Sequence, residues 1–247
     1  VYCKILEFLK DVEKDDFVNI AHRGASGNFT ENTLQSFEEA IQRGCDAIEL
    51  DVKSIGNRFR IFHDDNFKRM FGIDIDTNKI SESEADKLVY PNLEKIPTLQ
   101  QALDCVNGRV DVNVEIKSNH VATNIASIIE TYLEKPEWQS KNIILSCFSG
   151  ATINMVRQFH PNLKLSYLLY EQYCKLDEIK VIKNDYFKYN IHSLNLPLEN
   201  VTPEIIEYCK SENICVYVYT VNETKQIRYL RELGVNGVFT DYPRLIR

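Results

Sequence analysis

The chain lacks a Cys-x-x-Cys pair, any apolar run near the roughly 20 residues of a membrane span, and any excess of basic charge. Each absence removes a class of function. The seven cysteines (Cys3, Cys45, Cys105, Cys147, Cys174, Cys209 and Cys215) are scattered and odd in number. That pattern fits reduced core thiols in a cytoplasmic protein better than a disulfide framework. Without a long apolar run there is no membrane-spanning helix to draw. A net charge of -7 argues against broad nucleic-acid binding, and local cations must hold any anionic substrate. No serine or cysteine lies in a Gly-x-Ser-x-Gly setting, so acyl transfer has no visible nucleophile. No repeat, linker or low-complexity tract divides the chain, which reads as one domain over residues 1–247 with a small insertion over about 54–96. Residues 1–10 mix lysine, glutamate and apolar side chains at helical spacing, unlike the apolar core of a secretion signal, and the opening valine leaves a removed leader open.

What is present is an alternation of short β-rich runs with amphipathic stretches, the pattern of βα units around a parallel sheet. Strands are predicted over 17–21, 47–52, 110–116, 142–148, 163–169, 193–196, 215–220 and 237–240, and helices over 33–43, 99–106, 121–133, 151–160, 176–187, 203–211 and 223–233. Thr202 before Pro203 reads as a helix start, and Gly44 and Gly234 as helix stops. Eight strands with seven crossovers in 247 residues predict a closed (β/α)8 barrel. One place breaks the alternation: residues 47–53 and 58–63 are separated only by Ser54-Ile55-Gly56-Asn57, too short for a crossover helix, so a hairpin is predicted there. The stretch 65–96, rich in Asp, Asn, Ser and Lys, shows no long periodic run and reads as a small excursion from the rim.

Chemistry-bearing residues cluster at the ends of these predicted strands, where barrel enzymes keep their sites. His22-Arg23 end the first, Glu49 and Asp51 the second, His63 the hairpin strand, and Glu115 and Lys117 the next. Glu49, Asp51 and Glu115 offer three hard oxygen ligands of the kind that suit one divalent cation, Mg²⁺ or Ca²⁺. Arg23 and Lys117 supply cations for a phosphate. An imidazole ordinarily titrates near neutral pH, so His22 and His63 can serve as a proton donor and acceptor pair. Structural alternatives stand beside these readings. Glu49 and Asp51 also fit a solvated strand face, Lys117 a salt bridge to Glu115, and His120, His160 and His192 ordinary structural roles. Tyr217 and Tyr219, alternating with valines, fit barrel filling as well as substrate contact, and with Phe148 they make up the predicted substrate wall.

The order of these motifs resembles the glycerophosphodiester phosphodiesterase family. The matching pieces are Ala-His-Arg-Gly-Ala-Ser-Gly…Thr-Glu-Asn-Thr over 21–33, Gly-Cys-Asp-Ala-Ile-Glu-Leu-Asp-Val over 44–52, and Phe-His-Asp-Asp over 62–65. Ile-Pro-Thr-Leu over 96–99, Val-Glu-Ile-Lys over 114–117, Tyr-Thr-Val-Asn from 219 and Gly-Val-Phe-Thr-Asp-Tyr-Pro from 237 complete the set. The resemblance implies a barrel that hydrolyses glycerophosphodiesters to glycerol 3-phosphate and an alcohol. His22 and His63 would be the acid–base pair, Arg23 and Lys117 the phosphate contacts, and Glu49, Asp51 and Glu115 the metal ligands. It also implies that the substrate's own glycerol hydroxyl attacks phosphorus to give a cyclic phosphate that water then opens. His63 reads as the base and His22 as the acid in that order, an assignment the sequence leaves open. Two departures stand out: the turn at 54–57 is shorter by about one residue than is usual in the family, and Tyr219 replaces the usual tryptophan.

The first functional expectation is therefore a metal-dependent phosphodiesterase acting on small glycerophosphodiesters such as those of choline or ethanolamine. A second is a lysophospholipase D, which needs an apolar groove near Tyr167, Tyr170 and Tyr173. A third, a non-catalytic phosphate-binding protein, predicts a missing histidine or acid, and none is missing. The sequence sets no oligomeric state.

Overall fold

A computed structural model describes residues 16–138, 142–186 and 191–246 of the chain. The expectations for residues 1–10 and for a helix reaching 187 lie outside or at the edge of that range. Eight parallel strands, β1 (Val18–Ala21), β2 (Ala47–Ile55), β4 (Asp111–Ile116), β5 (Ile143–Cys147), β6 (Lys164–Leu168), β7 (Ser193–Pro197), β8 (Cys215–Tyr219) and β9 (Gly237–Thr240), pair in that circular order. β9 pairs with β1, and β1 with β2, so the sheet closes on itself as the predicted (β/α)8 barrel. Among the described residues, closure leaves one strand with a free side. That strand is β3 (Arg58–Ile61), which pairs antiparallel with the far end of β2.

The crossover helices follow from local sequence. Helix α1 (Leu34–Gln42) starts at Thr33, whose side chain accepts from the Ser36 N–H while Ser36 bonds back, a reciprocal cap. The insertion's two short helices are α2 (Lys68–Phe71) and α3 (Glu82–Ala85). Helix α4 (Leu99–Val106) buries Leu99, Ala102, Leu103 and Val106, an i, i+3, i+4, i+7 stripe turned to the barrel. The ring continues with α5 (Ala122–Leu133), α6 (Gly150–Phe159), α7 (Leu176–Tyr186), α8 (Pro203–Ser211) and α9 (Thr224–Leu233). Their inner faces and the outward strand residues form two large apolar clusters, one around Ile48, Leu50 and Val114 and one around Leu194, Val216 and Val218. Each such fully buried aliphatic side chain contributes about 1.5–3 kcal/mol.

The hairpin differs from its prediction in two ways. β2 runs on to Ile55, so Glu49 and Asp51 lie within a long strand and not at its end, and β3 stops at Ile61, leaving His63 on the loop beyond it. The cause is the turn: Gly56 takes φ +61, and an added Cβ there would fall 2.7 Å from the Glu82 amide nitrogen, so the two strands meet through a two-residue corner tight against α3. The excursion that follows has its own apolar cluster of Phe62, Phe67, Leu88, Tyr90 and Ile96, seated on Ile55.

Inside the barrel, the polar and aromatic residues separate by depth. Tyr217, Asn113, Asn195 and Ser166 line a lower cavity of about 220 Å³ near the strand N-termini. Tyr217 therefore fills the barrel and does not belong to the predicted substrate wall, whereas Tyr219, two residues further up β8, does reach the upper cleft. His192 lines the same lower cavity, and His160 bonds Glu130 at 2.8 Å; neither lines the upper cleft.

Candidate active site

The first loop is bent into place by backbone that few residues tolerate. Arg23 adopts φ +56 and Gly24 φ +81, where a Cβ on Gly24 would lie 2.4 Å from Ser36 Oγ. This bend turns the Arg23 N–H onto Glu49 Oε2 at 2.9 Å and its guanidinium between Asp51 (3.2 Å) and Glu31 (3.0 Å). Asn32, also at positive φ, donates to Asp51 Oδ2 at 2.8 Å. A single turn thus fixes three carboxylates.

β2 and β4 pair with Asp51 beside Glu115, and Glu49 lies two residues below Asp51 on the same face. One oxygen from each of Glu49, Asp51 and Glu115 comes within 4.8 Å of the others. Lys117 Nζ reaches Glu115 at 2.5 Å and Asp51 at 3.2 Å, so the predicted Glu115–Lys117 salt bridge exists within the larger cluster. Three acids here face two cations. Burial, with Asp51 and Glu115 as like charges, pushes Glu49 well above the usual carboxylate range. Burial and Asp51 push Glu115 up to about 7 against the pull of Lys117. Asp51 is buried too, yet Lys117, Arg23 and His63 outweigh that burial and hold it well below its ordinary value. The buried Glu49 Oε1 has no hydrogen-bond partner. An all-oxygen cage with an orphaned acceptor and too little positive charge fits a hard divalent cation.

The two histidines line the same cleft as this cluster, each anchored through Nδ1. His22 Nδ1 meets Asp241 Oδ1 at 2.7 Å, and Asp241 is itself held by Ser26 Oγ at 2.9 Å and Asn222 Nδ2 at 2.6 Å. His63 Nδ1 meets Asp64 Oδ1 at 2.7 Å. Asp64 accepts two N–H groups of Arg69, which also grips Glu31. In each pair the carboxylate selects the Nδ1–H tautomer and leaves Nε2 for proton transfer. Burial is more than outweighed for both carboxylates: Asp64, bonded by Arg69 and His63, and Asp241, bonded by His22, are each lowered to about 2. Burial lowers His63 below its ordinary imidazole value, with Lys117 and Arg23 pushing the same way against Asp51 and Asp64.

His22, Arg23, Glu49, His63, Glu115, Lys117, Phe148 and Tyr219 all line one cleft of about 160 Å³. It opens into a mouth of about 700 Å³ edged by Lys53, Asp65, Phe148 and Tyr170. Asp51 stands just behind, completely buried. Every predicted site residue except Tyr217 is therefore brought together. Sequence reasoning missed the supporting set: Asp241, Asn222, Ser26, Asp64, Arg69, Glu31 and Asn32. Most of these lie inside the motifs quoted above, but composition and spacing carry no sign of which histidine or acid each one holds. Of the tyrosines expected to form an apolar groove, Tyr170 lines the mouth, Tyr167 packs against the cores and Tyr173 is exposed.

The chain and its fold have counterparts among known proteins. A glycerophosphodiester phosphodiesterase of Bacillus altitudinis is 28% identical over 235 residues, covering 90% of this chain and 94% of that protein. The crystal structure of a glycerophosphodiester phosphodiesterase from Thermotoga maritima superposes with a TM-score of 0.74 at 26% identity, covering 92% and 96% of the two chains. A phosphodiesterase of Oleispira antarctica, solved with the product sn-glycerol-3-phosphate, has the same fold, with a TM-score of 0.80 at 24% identity over 92% and 94%. The family model described as "Glycerophosphoryl diester phosphodiesterase family" matches residues 22–245, from the first histidine to beyond Asp241, and on that span the chain belongs to this family.

Proposed function

We propose that this cleft hydrolyses glycerophosphodiesters to glycerol 3-phosphate and an alcohol, with His22 and His63 moving the protons and Glu49, Asp51 and Glu115 holding a divalent cation. The observation that carries it is the convergence of two carboxylate-anchored imidazoles on an acidic triad with an unpartnered buried oxygen. The donor set suits Mg²⁺ or Ca²⁺. When bound, such an ion supplies Lewis-acid stabilisation of charge on the phosphoryl oxygens.

The protein's own residues account for the rest. Arg23 and Lys117 flank the cleft floor and hold the non-bridging oxygens, and they gain strength as charge builds there in the transition state. His63, kept neutral by burial, takes the proton of the attacking glycerol hydroxyl at Nε2. His22, held through Nδ1 by Asp241, gives a proton to the departing alkoxide. Phosphorus gains the bond to the glycerol oxygen as it loses the head-group oxygen, leaving a cyclic phosphate. Water then opens that ring with the roles reversed: His22 accepts water's proton and His63 returns one to the glycerol hydroxyl. A mouth edged by Lys53, Asp64, Asp65 and Lys117 favours a polar head group over the acyl chain of a lysolipid. His22→Ala and His63→Ala should each lower kcat by about 10²–10⁴-fold with the unfolding midpoint retained. Retained turnover in either variant would refute the pairing.

A further inference from the structure

The barrel interior holds a second cavity that the reaction does not use. Barrel cores are ordinarily filled by branched aliphatic side chains, but here small and polar residues leave about 220 Å³ open near the strand N-termini. The circular strand order divides its wall into two faces. From β4 to β7 come Asn113, Ser166, Ser193 and Asn195, each at most 4% exposed, with Ile144 among them. From β8 round to β2 come Tyr217, Phe239, Val18, Ile20 and Ala47. The charges on the wall are one of each sign. Asp111 accepts from the Asn142 N–H and Nδ2 at 3.0 and 2.8 Å, and Lys164 is exposed. Burial lowers His192 below its ordinary imidazole value, Lys164 pushing the same way against Asp111.

The polar face is incompletely paired. Ser166 Oγ meets Ser193 Oγ at 2.6 Å and donates to Asn195 Oδ1 at 3.0 Å, but Asn195 Nδ2 and both amide atoms of Asn113 have no partner. Buried and unmet, such groups cost stability until something enters to pair with them. Water suits only half of the wall, because a buried water needs two to four polar partners and the aliphatic groups and rings opposite supply few. An asparagine amide with both atoms free presents a donor beside an acceptor, the edge that a lactam or a nucleobase matches with two hydrogen bonds. Size narrows the choice further. An apolar cavity of about 150 Å³ holds one benzene ring, so the space here takes one substituted ring. We infer that the lower cavity binds a small, neutral, planar heterocyclic amide of pyrimidine size, paired to Asn113 and Asn195 and packed against Tyr217 and Phe239. Asn113 and Phe239 also line the upper cleft, so the bound ring lies beneath the floor of the reacting centre.

The test is calorimetric titration of the purified chain with uracil and with 1,3-dimethyluracil, which keeps the ring but has no N–H to donate. Uracil should bind with a dissociation constant below about 1 mM, and dimethyluracil about tenfold more weakly or worse. Asn113→Leu and Asn195→Ala should each weaken uracil by a similar factor, in protein whose circular dichroism stays native. Should neither variant fold, the comparison of the two ligands on the parent chain still decides. Saturating glycerol 3-phosphate with a divalent cation should leave uracil binding unchanged, so the site stands or falls apart from the phosphodiesterase reading. No uracil binding below about 1 mM, or equal affinity for dimethyluracil, overturns the site. So does competition by glycerol 3-phosphate, which would put the ring in the upper cleft, or uracil affinity unmoved in both folded variants.

Discussion

His22 and His63 look alike in the sequence, each one step beyond a run of apolar residues, but they are held from different parts of the molecule. Asp64 is the next residue after His63, whereas Asp241 reaches His22 across 219 residues, and only barrel closure brings it there. That is why the histidines were legible from spacing and their partners were not. The same limit explains Tyr217: period-two alternation shows that Tyr217 and Tyr219 share a face, but depth along the barrel axis depends on strand register, which alternation does not encode. At this scale the pH profile is the sharpest check. Burial holds the His63 pKa below 6.5, so the neutral, base-competent ring persists at more acid pH than a free imidazole. The acid limb of kcat/KM is therefore expected below pH 6.5. A limb displaced above 7 would contradict the assignment of His63 as the base.

Among the elements, the regular βα units were readable because each carries a clear period and a cap, as with Thr33 ahead of α1 and the apolar stripe of α4. The excursion was not, because α2 and α3 have four residues each, too few for a 3.6-residue period to show. Its contribution is nevertheless specific. Arg69 on α2 joins Asp64, which orients His63, to Glu31, which positions Arg23, so one side chain ties the insertion to the first barrel loop. Arg69 is half exposed, and its ion pairs contribute under about 1 kcal/mol of stability. Its effect on geometry is larger. Arg69→Ala should lower kcat/KM by about 10- to 100-fold while leaving the denaturant midpoint nearly unchanged. Full activity in that variant would show that the loop bearing His63 needs no such tie.

For the whole molecule, closure of the sheet converts scattered motifs into one site, and the resulting excess of acid over base at its centre costs stability unless a cation is present. Adding a divalent ion at 100 times its dissociation constant should stabilise the fold by about 2.7 kcal/mol. For a chain of this size that is an unfolding midpoint higher by about 5–10 °C. Glu49→Gln should remove most of that shift, and a shift preserved in the variant would place the ion elsewhere. Fold class and the convergence of the candidate site residues were legible at this scale because barrel enzymes put their chemistry toward one end of the strands; the wiring between those residues was not, because it belongs to loops that meet only in three dimensions. The most direct measurement is release of glycerol 3-phosphate from a soluble glycerophosphodiester by the purified chain, first with chelator and then with Mg²⁺ or Ca²⁺ restored. Release that stops with chelator and returns with the ion is the expected result, and release undiminished by chelator, or none with either ion, would contradict the account.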